Sequence, residues 1–301
     1  MSTIQRAAVL GKPIAHSLSP VLHEAAYQSL GLHDWAYGKI EVGEDDLPAF
    51  VNDLDDSWRG LSLTMPLKRT IQPFGTPSNQ WARELAVANT VVFDWSGRQP
   101  RLALYNTDVY GIARAFHDAF GTVSRAFPEH ATAVILGNGN TAVSAMAACI
   151  MLGVTTVTVA ARHPDRNPQF AQLAAAHGLT VSVIPLEQAI EPLEHCDIAI
   201  STIPGRGADP IAQQLSATTT PLRGVLLDVV YDPRPSLLMQ VWRAHGGLAI
   251  GGERMLLHQA VAQVLLMTGS AVGTDFDTLT NNLPQTATLE QAMWEALEKE
   301  L

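Results

Sequence analysis

Short apolar runs rich in β-branched residues alternate along the chain with longer segments whose apolar positions recur at helical spacing. In the first third of the chain, strands are predicted at 7–10, 35–42 and 60–64, with a hairpin at 90–93 and 101–104. Helices are predicted between the first three strands, at 21–30 and 45–54. This part of the sequence therefore predicts a mixed unit of strands and helices.

Two of the helices carry specific end signals. Ser19 is predicted as the N-cap of the first helix, followed by a proline at its first position, and Gly31 as the residue just beyond its end. A last helix is predicted over 286–301, where leucine or methionine recurs at every fourth position. Thr288 and Gln291 have the spacing of a capping box near its start.

The rest of the chain alternates strands and helices at the spacing of strand–helix–strand units. Strands are predicted at 132–136, 154–160, 197–203 and 225–230. Helices are predicted at 109–120, 142–152, 170–177 and 255–267. Parallel strands joined by helical crossovers make a doubly wound sheet with helices on both faces. The sequence therefore predicts an α/β fold that contains a Rossmann-like domain.

Composition narrows the class of protein. The 301 residues are 47% hydrophobic and 16% charged, which excludes a disordered chain, a collagen and a small disulfide scaffold. The net charge of −10 leaves no electrostatic footprint for nucleic acid or anionic lipid. Two cysteines, Cys149 and Cys196, favour a reducing compartment, and the longest apolar run, 142–154, is too short to span a membrane. We expect a soluble cytoplasmic protein with no membrane or nucleic-acid partner.

A glycine-rich turn follows the strand at 132–136. Residues 137–142 read Gly-x-Gly-x-x-Ala and open the next predicted helix, which is the context that dinucleotide binding requires. Gly137 permits the tight turn, and Gly139 lets the backbone approach a pyrophosphate at the helix N-terminus. The alternative is a glycine-rich turn that binds nothing.

The end of the following strand distinguishes between cofactors. NAD-binding proteins usually carry an acid there, but this strand ends in Arg162, with Arg166 four residues later. A guanidinium holds a 2′-phosphate that a carboxylate would repel, so NADP is favoured over NAD. The alternative is that both arginines are solvated loop residues. Asp165, an acid three residues after Arg162, keeps NAD as a second possibility for the cofactor.

Polar residues cluster in the first part of the chain. Ser17 and Ser19 place two hydroxyls at a strand-to-helix turn, which suits a polyol or a carboxylate, or simple capping. Lys68 is one of only four lysines against fifteen arginines, and unlike arginine it can exchange a proton. Asp108 could pair with Lys68 for proton transfer or simply cap the helix that follows it. Spacing alone leaves both questions open.

Seven motifs follow one another along the chain: Gly11-x-Pro13-x-x-His16-Ser17-x-Ser19-Pro20, Thr64-x-Pro66-x-Lys68, Asn89-Thr90, Asn106-Thr107-Asp108-x-x-Gly111, the glycine turn, Tyr231-x-Pro233 and Gly252-x-x-Met255-Leu256-x-x-Gln259-Ala260. Taken together in this order, they resemble those of the shikimate dehydrogenase family, and the resemblance runs from about residue 11 to residue 269.

The resemblance implies two domains and a reaction. Residues 1–108 with 254–301 would form an α/β substrate domain, and 109–253 a doubly wound NADP domain. The implied reaction is the reversible, NADPH-dependent reduction of 3-dehydroshikimate to shikimate, in the pathway to chorismate and the aromatic amino acids. Lys68 would exchange the proton with the reacting oxygen, and Asp108 would orient it. No metal is implied, and the protein would be a monomer or a homodimer.

The resemblance also implies the remaining site residues. Those that would bind substrate are Ser17, Ser19, Thr64, Lys68, Asn89, Asp108, Tyr231 and Gln259. Those that would bind NADP are Gly137, Asn138, Gly139, Asn140, Thr141, Arg162, Arg166, Thr202, Val229 and Gly252.

This chain departs from the family pattern at a few positions. Ser62 stands where the family usually has Asn, Asn140-Thr141 where Gly-Ala is usual, and Ala161 where Asn is usual. One alternative is an NAD-dependent quinate/shikimate dehydrogenase, and another is a non-catalytic NADP-binding sensor on the same fold. A purely structural protein would leave the ordered polar motifs without a reason.

Overall fold

The computed structural model describes residues 4–97, 99–122, 126–271, 274–279 and 286–301. The chain forms two compact units, one of Met1–Tyr110 with Leu256–Leu301 and one of Gly111–Met255. The expected boundaries at 108/109 and 253/254 lie two residues from these divisions at 110/111 and 255/256. Both units are α/β, so the predicted fold class is confirmed.

The first unit is built on a mixed sheet with the strand order β2-β1-β3-β5-β6-β4. Its strands are β1 (Gln5–Gly11), β2 (Trp35–Glu41), β3 (Trp58–Leu63), β4 (Thr76–Pro77), β5 (Thr90–Asp94) and β6 (Arg101–Tyr105). Its first helices are α1 (Ser19–Ser29), α2 (Leu47–Asn52), α3 (Leu67–Thr70) and α4 (Gln80–Leu85). β1 pairs in parallel with β2 and β3, and β5 and β6 form the predicted antiparallel hairpin.

The predicted start of α1 is wrong by one residue. Ser19 is the first residue of the helix and not its N-cap, because Leu18 occupies the cap position with φ −90° and ψ 0°. The hydroxyl of Ser17 accepts the Ser19 backbone N–H at 3.3 Å. Gly31 has φ +69° just after the helix ends, as predicted from its freedom to adopt left-handed backbone angles.

The second unit is a wholly parallel sheet with the order β12-β11-β10-β7-β8-β9. Helix α5 (Asp108–Thr122) precedes it. Its strands are β7 (Thr132–Leu136), β8 (Thr156–Ala161), β9 (Thr180–Pro185), β10 (Ile198–Ser201), β11 (Val225–Asp228) and β12 (Leu248–Gly251). Its helices are α6 (Asn140–Met151), α7 (Gln169–His177), α8 (Ile190–His195), α9 (Asp209–Ser216) and α10 (Leu237–Ala244). The order reverses between β7 and β10, where doubly wound sheets bind ligands at the carboxyl ends of their strands.

The sequence did not predict the two edge strands, β9 and β12. β9 is partly exposed along its whole length, and in β12 half-buried residues alternate with buried ones, so neither has the continuous buried apolar run that marks a central strand.

Two helices close the chain, α11 (Gly252–Met267) and α12 (Thr286–Glu298). The capping-box prediction is wrong, because α12 already begins at Thr286 and Thr288 lies inside it. Leu289, Met293 and Leu297 are buried against α1, as their spacing predicts, whereas Leu301 lies beyond the helix and is 38% exposed. Within the described residues, no helix has the length and apolarity needed to cross a membrane.

A buried histidine makes the first unit sensitive to acid. His23 on α1 stacks on Tyr37 with ring centroids 3.8 Å apart, and burial lowers its pKa from 6.5 to about 4, although a hydrogen bond to the Ser19 carbonyl acts the other way. Between these two values the unfolded chain binds a proton that the folded chain excludes. Above pH 6.5, His23 therefore does not reduce the unfolding free energy. As the pH falls from 6.5 to 4, its exclusion of the proton lowers the unfolding free energy by about 3 kcal/mol.

Urea unfolding at pH 7 and pH 5 tests this effect. His23→Phe should lose less stability than the wild-type protein between these two values, since it has no proton to take up. His33→Gln, at an exposed position, serves as the control and should behave as wild type. Equal losses in the wild type and His23→Phe would remove His23 from the acid response.

Candidate active site

Two parallel strands bring the first polar motifs together. The Thr64 N–H donates to the Leu10 carbonyl at 2.9 Å, and the Lys12 N–H donates to the Met65 carbonyl at 3.0 Å, so the segments after β1 and β3 run side by side. A Cβ on Gly11 would lie 2.4 Å from the Thr64 methyl group, so only glycine permits this approach. The motifs that contain Gly11 and Thr64 thus lie in direct contact, although they are separated by more than 50 residues in the sequence.

The structure places Lys68 and Asp108 in direct contact. Lys68 Nζ lies 2.5 Å from Asp108 Oδ2, and the two side chains are 13% and 5% exposed. Asp108 does not cap α5, because the side chain of Asn106 accepts the Val109 N–H at 3.3 Å instead. Both oxygens of the Asp108 carboxylate therefore remain available to side chains of the site. A desolvated pair of this kind is costly to build, which favours a chemical reason for it.

Asn89 holds the other oxygen of this carboxylate. Its Oδ1 accepts the Thr107 backbone N–H at 2.7 Å, which fixes the orientation of the amide. Its Nδ2 consequently donates to Asp108 Oδ1 at 2.8 Å and to Gln259 Oε1 at 3.2 Å. The structure thus brings Asn89 and Gln259 to the Lys68–Asp108 pair, although sequence reasoning could not show that they meet.

Tyr37 and Gln263 also belong to this cluster and were not predicted, whereas Ser62 was singled out only as a departure from the family pattern. Tyr37 donates its hydroxyl to Ser62 Oγ at 2.6 Å, and Ser62 donates to Gln263 Oε1 at 2.8 Å. Ser19 also lies at the Tyr37 phenol: burial raises the phenol's pKa, and hydrogen bonds with Ser62 and Ser19 lower it. Gln263 follows Gln259 by one helical turn within an apolar helix, and that spacing could have revealed it.

The glycine turn of the second unit has the geometry that its motif predicts. Gly137 has φ +105°, and a Cβ on it would lie 2.5 Å from Thr202 Oγ1. That hydroxyl donates to the Leu136 carbonyl at 2.8 Å, which ties the ends of β7 and β10 together. Gly139 occupies the N-cap position of α6, where an added Cβ would meet nothing within 4 Å. The helix N-terminus thus presents an open backbone surface that fits a phosphate group.

A methyl group on Gly137 is expected to disrupt this turn. Gly137→Ala would combine a strained positive φ with a clash against Thr202, and should lower the unfolding free energy by about 1–3 kcal/mol. Urea unfolding measures the loss. Gly139→Ala is the matched control, because it has neither the positive φ nor a neighbour within 4 Å and should lose only the roughly 0.5–1 kcal/mol that alanine costs at an N-cap. Equal losses in both variants would contradict the steric argument.

The segment 162–167, which contains Arg162 and Arg166 and is called here the arginine segment, lies against the glycine turn. Asn138 Nδ2 donates to the His163 carbonyl at 2.8 Å, and Asn167 Nδ2 donates to the Asn138 carbonyl at 3.1 Å. A groove of about 240 Å³ lies between the two segments. It is lined by Gly137, Asn138, Gly139, Ala161, Arg162, His163, Arg166, Leu186, Thr202, Ile203 and Pro204. Two guanidinium groups beside an open glycine turn fit a phosphorylated dinucleotide.

The remaining predicted cofactor residues also lie on the second unit. Asn140 and Thr141 are the first two residues of α6. Val229 follows β11 and touches Gly252, where a Cβ would lie 2.0 Å from the Val229 carbonyl oxygen. Tyr231 follows in the same segment, and its pKa is raised by burial and by the charge of Asp232. Among the described residues no group of three or more potential ligands is arranged to hold a metal ion.

Two family models match the chain. Residues 9–91 match the shikimate dehydrogenase substrate binding domain, and residues 122–221 match shikimate / quinate 5-dehydrogenase.

Curated relatives and solved structures agree with these matches. A shikimate dehydrogenase (NADP(+)) from Methylobacterium radiotolerans is 32% identical over 85% of this chain and 88% of the relative. The crystal structure of Mycobacterium tuberculosis shikimate dehydrogenase is 35% identical, with a TM-score of 0.79 over 98% of this chain and 99% of that one. The shikimate 5-dehydrogenase of Thermus thermophilus, in complex with NADP(H) and shikimate, is 28% identical, with a TM-score of 0.72 over 97% and 99% of the two chains.

Proposed function

The chain belongs to the shikimate dehydrogenase family, and we propose that it catalyses the reversible reduction of 3-dehydroshikimate to shikimate with NADPH. The observation that carries the proposal is the buried contact between Lys68 Nζ and Asp108 Oδ2, at 2.5 Å. It supplies an ammonium and a carboxylate where an alcohol or ketone oxygen has to exchange a proton.

Bound NADPH supplies the hydride, and the first unit supplies the proton. Lys68 donates a proton to the oxygen of the substrate during reduction and accepts it during oxidation. Asp108 orients the ammonium group and balances its charge. Asn89 keeps the carboxylate turned toward Lys68, because its Nδ2 donates to Asp108 Oδ1 at 2.8 Å.

The other predicted side chains of the site bind the polar groups of the substrate that do not react. In this proposal the carboxylate and hydroxyls of the substrate are bound by Ser17, Ser19, Thr64 and Asn89. Gln259 and Tyr231 complete the substrate site. Support comes from the family match over residues 9–91 and from the hydrogen bond between Asn89 and Gln259.

NADP is assigned to the carboxyl ends of the parallel strands in the second unit. The backbone around Gly137 and Gly139 binds the pyrophosphate, and the two guanidinium groups of Arg162 and Arg166 bind the 2′-phosphate. Asn138, Asn140, Thr141, Thr202, Val229 and Gly252 complete this proposed site. The groove between the glycine turn and the arginine segment supports the assignment.

A substrate and cofactor panel tests the function. The purified protein is mixed with shikimate or quinate and with NADP or NAD, and formation of the reduced nicotinamide is followed by its absorbance. Shikimate with NADP should give the highest kcat/KM. A preference for NAD or for quinate would favour the NAD-dependent quinate/shikimate dehydrogenase. No turnover with any pair would favour an NADP-binding sensor.

The setting of the reaction is also a proposal. The family name implies a place in chorismate and aromatic amino acid biosynthesis. We infer a cytoplasmic location, supported by Cys149 and Cys196, which are both buried and free of disulfide bonds. A monomer or a homodimer remains the expectation for its assembly.

A further inference from the structure

Gln263 is a buried polar residue on an otherwise apolar stretch of α11. Its side chain is 1% exposed, and its sequence neighbours on the helix are Val261, Ala262, Val264 and Leu265. Burying an amide among such neighbours lowers stability unless each of its polar atoms finds a partner. If packing were its only role, an apolar side chain of similar size would serve better.

The amide of Gln263 bridges two neighbouring strands of the first unit. Its Oε1 accepts from Ser62 Oγ at 2.8 Å, and its Nε2 donates to Thr90 Oγ1 at 3.1 Å and to the Asn89 carbonyl at 3.2 Å. Ser62 and Thr90 are directly paired in the β3–β5 ladder. Gln263 therefore connects the side chains of one cross-strand pair.

Chemistry fixes the orientation of this amide. The backbone carbonyl of Asn89 can only accept hydrogen bonds, and it already accepts the Leu63 N–H at 2.8 Å. The group of Gln263 that faces this carbonyl is therefore the NH₂. Thr90 Oγ1 accepts from that NH₂ and is left to donate to Asn89 Oδ1 at 3.0 Å. Gln263 thereby supports both the main chain and the side chain of Asn89.

The opposite end of the amide is equally constrained. Because Gln263 Oε1 can only accept, Ser62 donates its proton to it and accepts from the Tyr37 hydroxyl at 2.6 Å. The Tyr37 ring is fixed in turn by stacking on His23 at 3.8 Å. In this series of hydrogen bonds, each donor therefore points in the direction from Tyr37 toward Asn89.

We propose that Gln263 is a positioning residue for the proton-transfer pair. It holds Thr90 and Asn89 so that the Asn89 amide keeps the Asp108 carboxylate in place against Lys68. This inference rests on the proposed function, since it assigns Gln263 a part in the same reaction. Gln263 itself has its hydrogen bonds with Ser62, Thr90 and Asn89, not with Lys68 or Asp108, and acts through Asn89.

Gln263→Met tests the proposal by removing both polar atoms at nearly constant side-chain length. The kcat for shikimate oxidation should fall about 10- to 100-fold, the usual consequence of a small misplacement of a catalytic group. The KM for NADP should stay within about twofold, because the cofactor residues lie on the second unit. Val264→Ala, at a buried position of the same helix whose apolar side chain cannot hydrogen-bond to the amide network, controls for a general loss of packing.

Gln263→Glu gives a second readout that a purely structural role would not produce. A protonated glutamic acid can donate toward Asn89 and accept from Ser62, as glutamine does, whereas the ionised carboxylate cannot donate. The ratio of its kcat/KM to that of the wild-type protein should therefore rise as the pH falls. Using the wild-type profile as reference removes the pH dependence that the two proteins share.

The outcomes separate this inference from the proposed function. A wild-type protein without shikimate turnover refutes the function. With an active wild type, a Gln263→Met kcat that falls no further than that of Val264→Ala overturns the inference. If Gln263→Met does not fold, a Gln263→Glu ratio that is the same at every pH overturns it, and a ratio that rises toward low pH supports it.

Discussion

Replacement of Lys68 by alanine is expected to lower kcat for shikimate oxidation by about 10²-fold or more, the usual size of an acid–base contribution. The fold should survive, because Asp108 keeps its hydrogen bond from Asn89 at 2.8 Å when the ammonium group is gone. NADPH binding, measured by fluorescence titration, should be unchanged, since the groove and its arginines belong to the second unit. The result would separate proton transfer from cofactor binding.

Two further variants sharpen this experiment. Arg69→Ala removes an exposed cation from the same short helix and should leave kcat nearly unchanged. Lys68→Arg keeps the positive charge but cannot release a proton at neutral pH, so it should remain slow if Lys68 transfers the proton. Recovery in Lys68→Arg would show that charge alone suffices, and near-normal turnover in Lys68→Ala would exclude Lys68 from the reaction.

Replacement of Arg162 by aspartate is expected to weaken NADPH binding about 100-fold while NADH binding changes little. The variant loses a charge-assisted hydrogen-bond donor beside the proposed 2′-phosphate position and places a negative charge there instead. NADH carries no 2′-phosphate, so it has neither the contact to lose nor the repulsion to gain. Dissociation constants for both cofactors measure the difference.

Arg223→Asp is the matched control for this charge change. Arg223 is an exposed arginine of the same unit that does not line the groove, so its replacement should affect NADPH and NADH equally and weakly. If Arg162→Asp weakens the two cofactors by the same factor, the arginine does not recognise the 2′-phosphate, and the preference for NADP needs another explanation.

Much of the fold followed from local patterns. The buried apolar runs identified β7, β10 and β11, because a central parallel strand is covered on both faces and leaves a continuous apolar signature. The glycine turn and Arg162 were found for a similar reason, since each motif occupies consecutive residues whose geometry depends on the local backbone. The edge strand β9 was missed because its partly exposed residues lack that signature.

The alternation of central strands and helices along the chain and the candidate cofactor turn were determined by the sequence itself, because neighbouring residues carry that information. Only the tertiary structure decided that Lys68 meets Asp108 across 40 residues and that Gln263 reaches Asn89 across 174. Such contacts depend on strand register and on how helices pack over a sheet, and no local spacing encodes them. It also decided that Asn106 caps α5, which leaves the Asp108 carboxylate for Lys68 and Asn89.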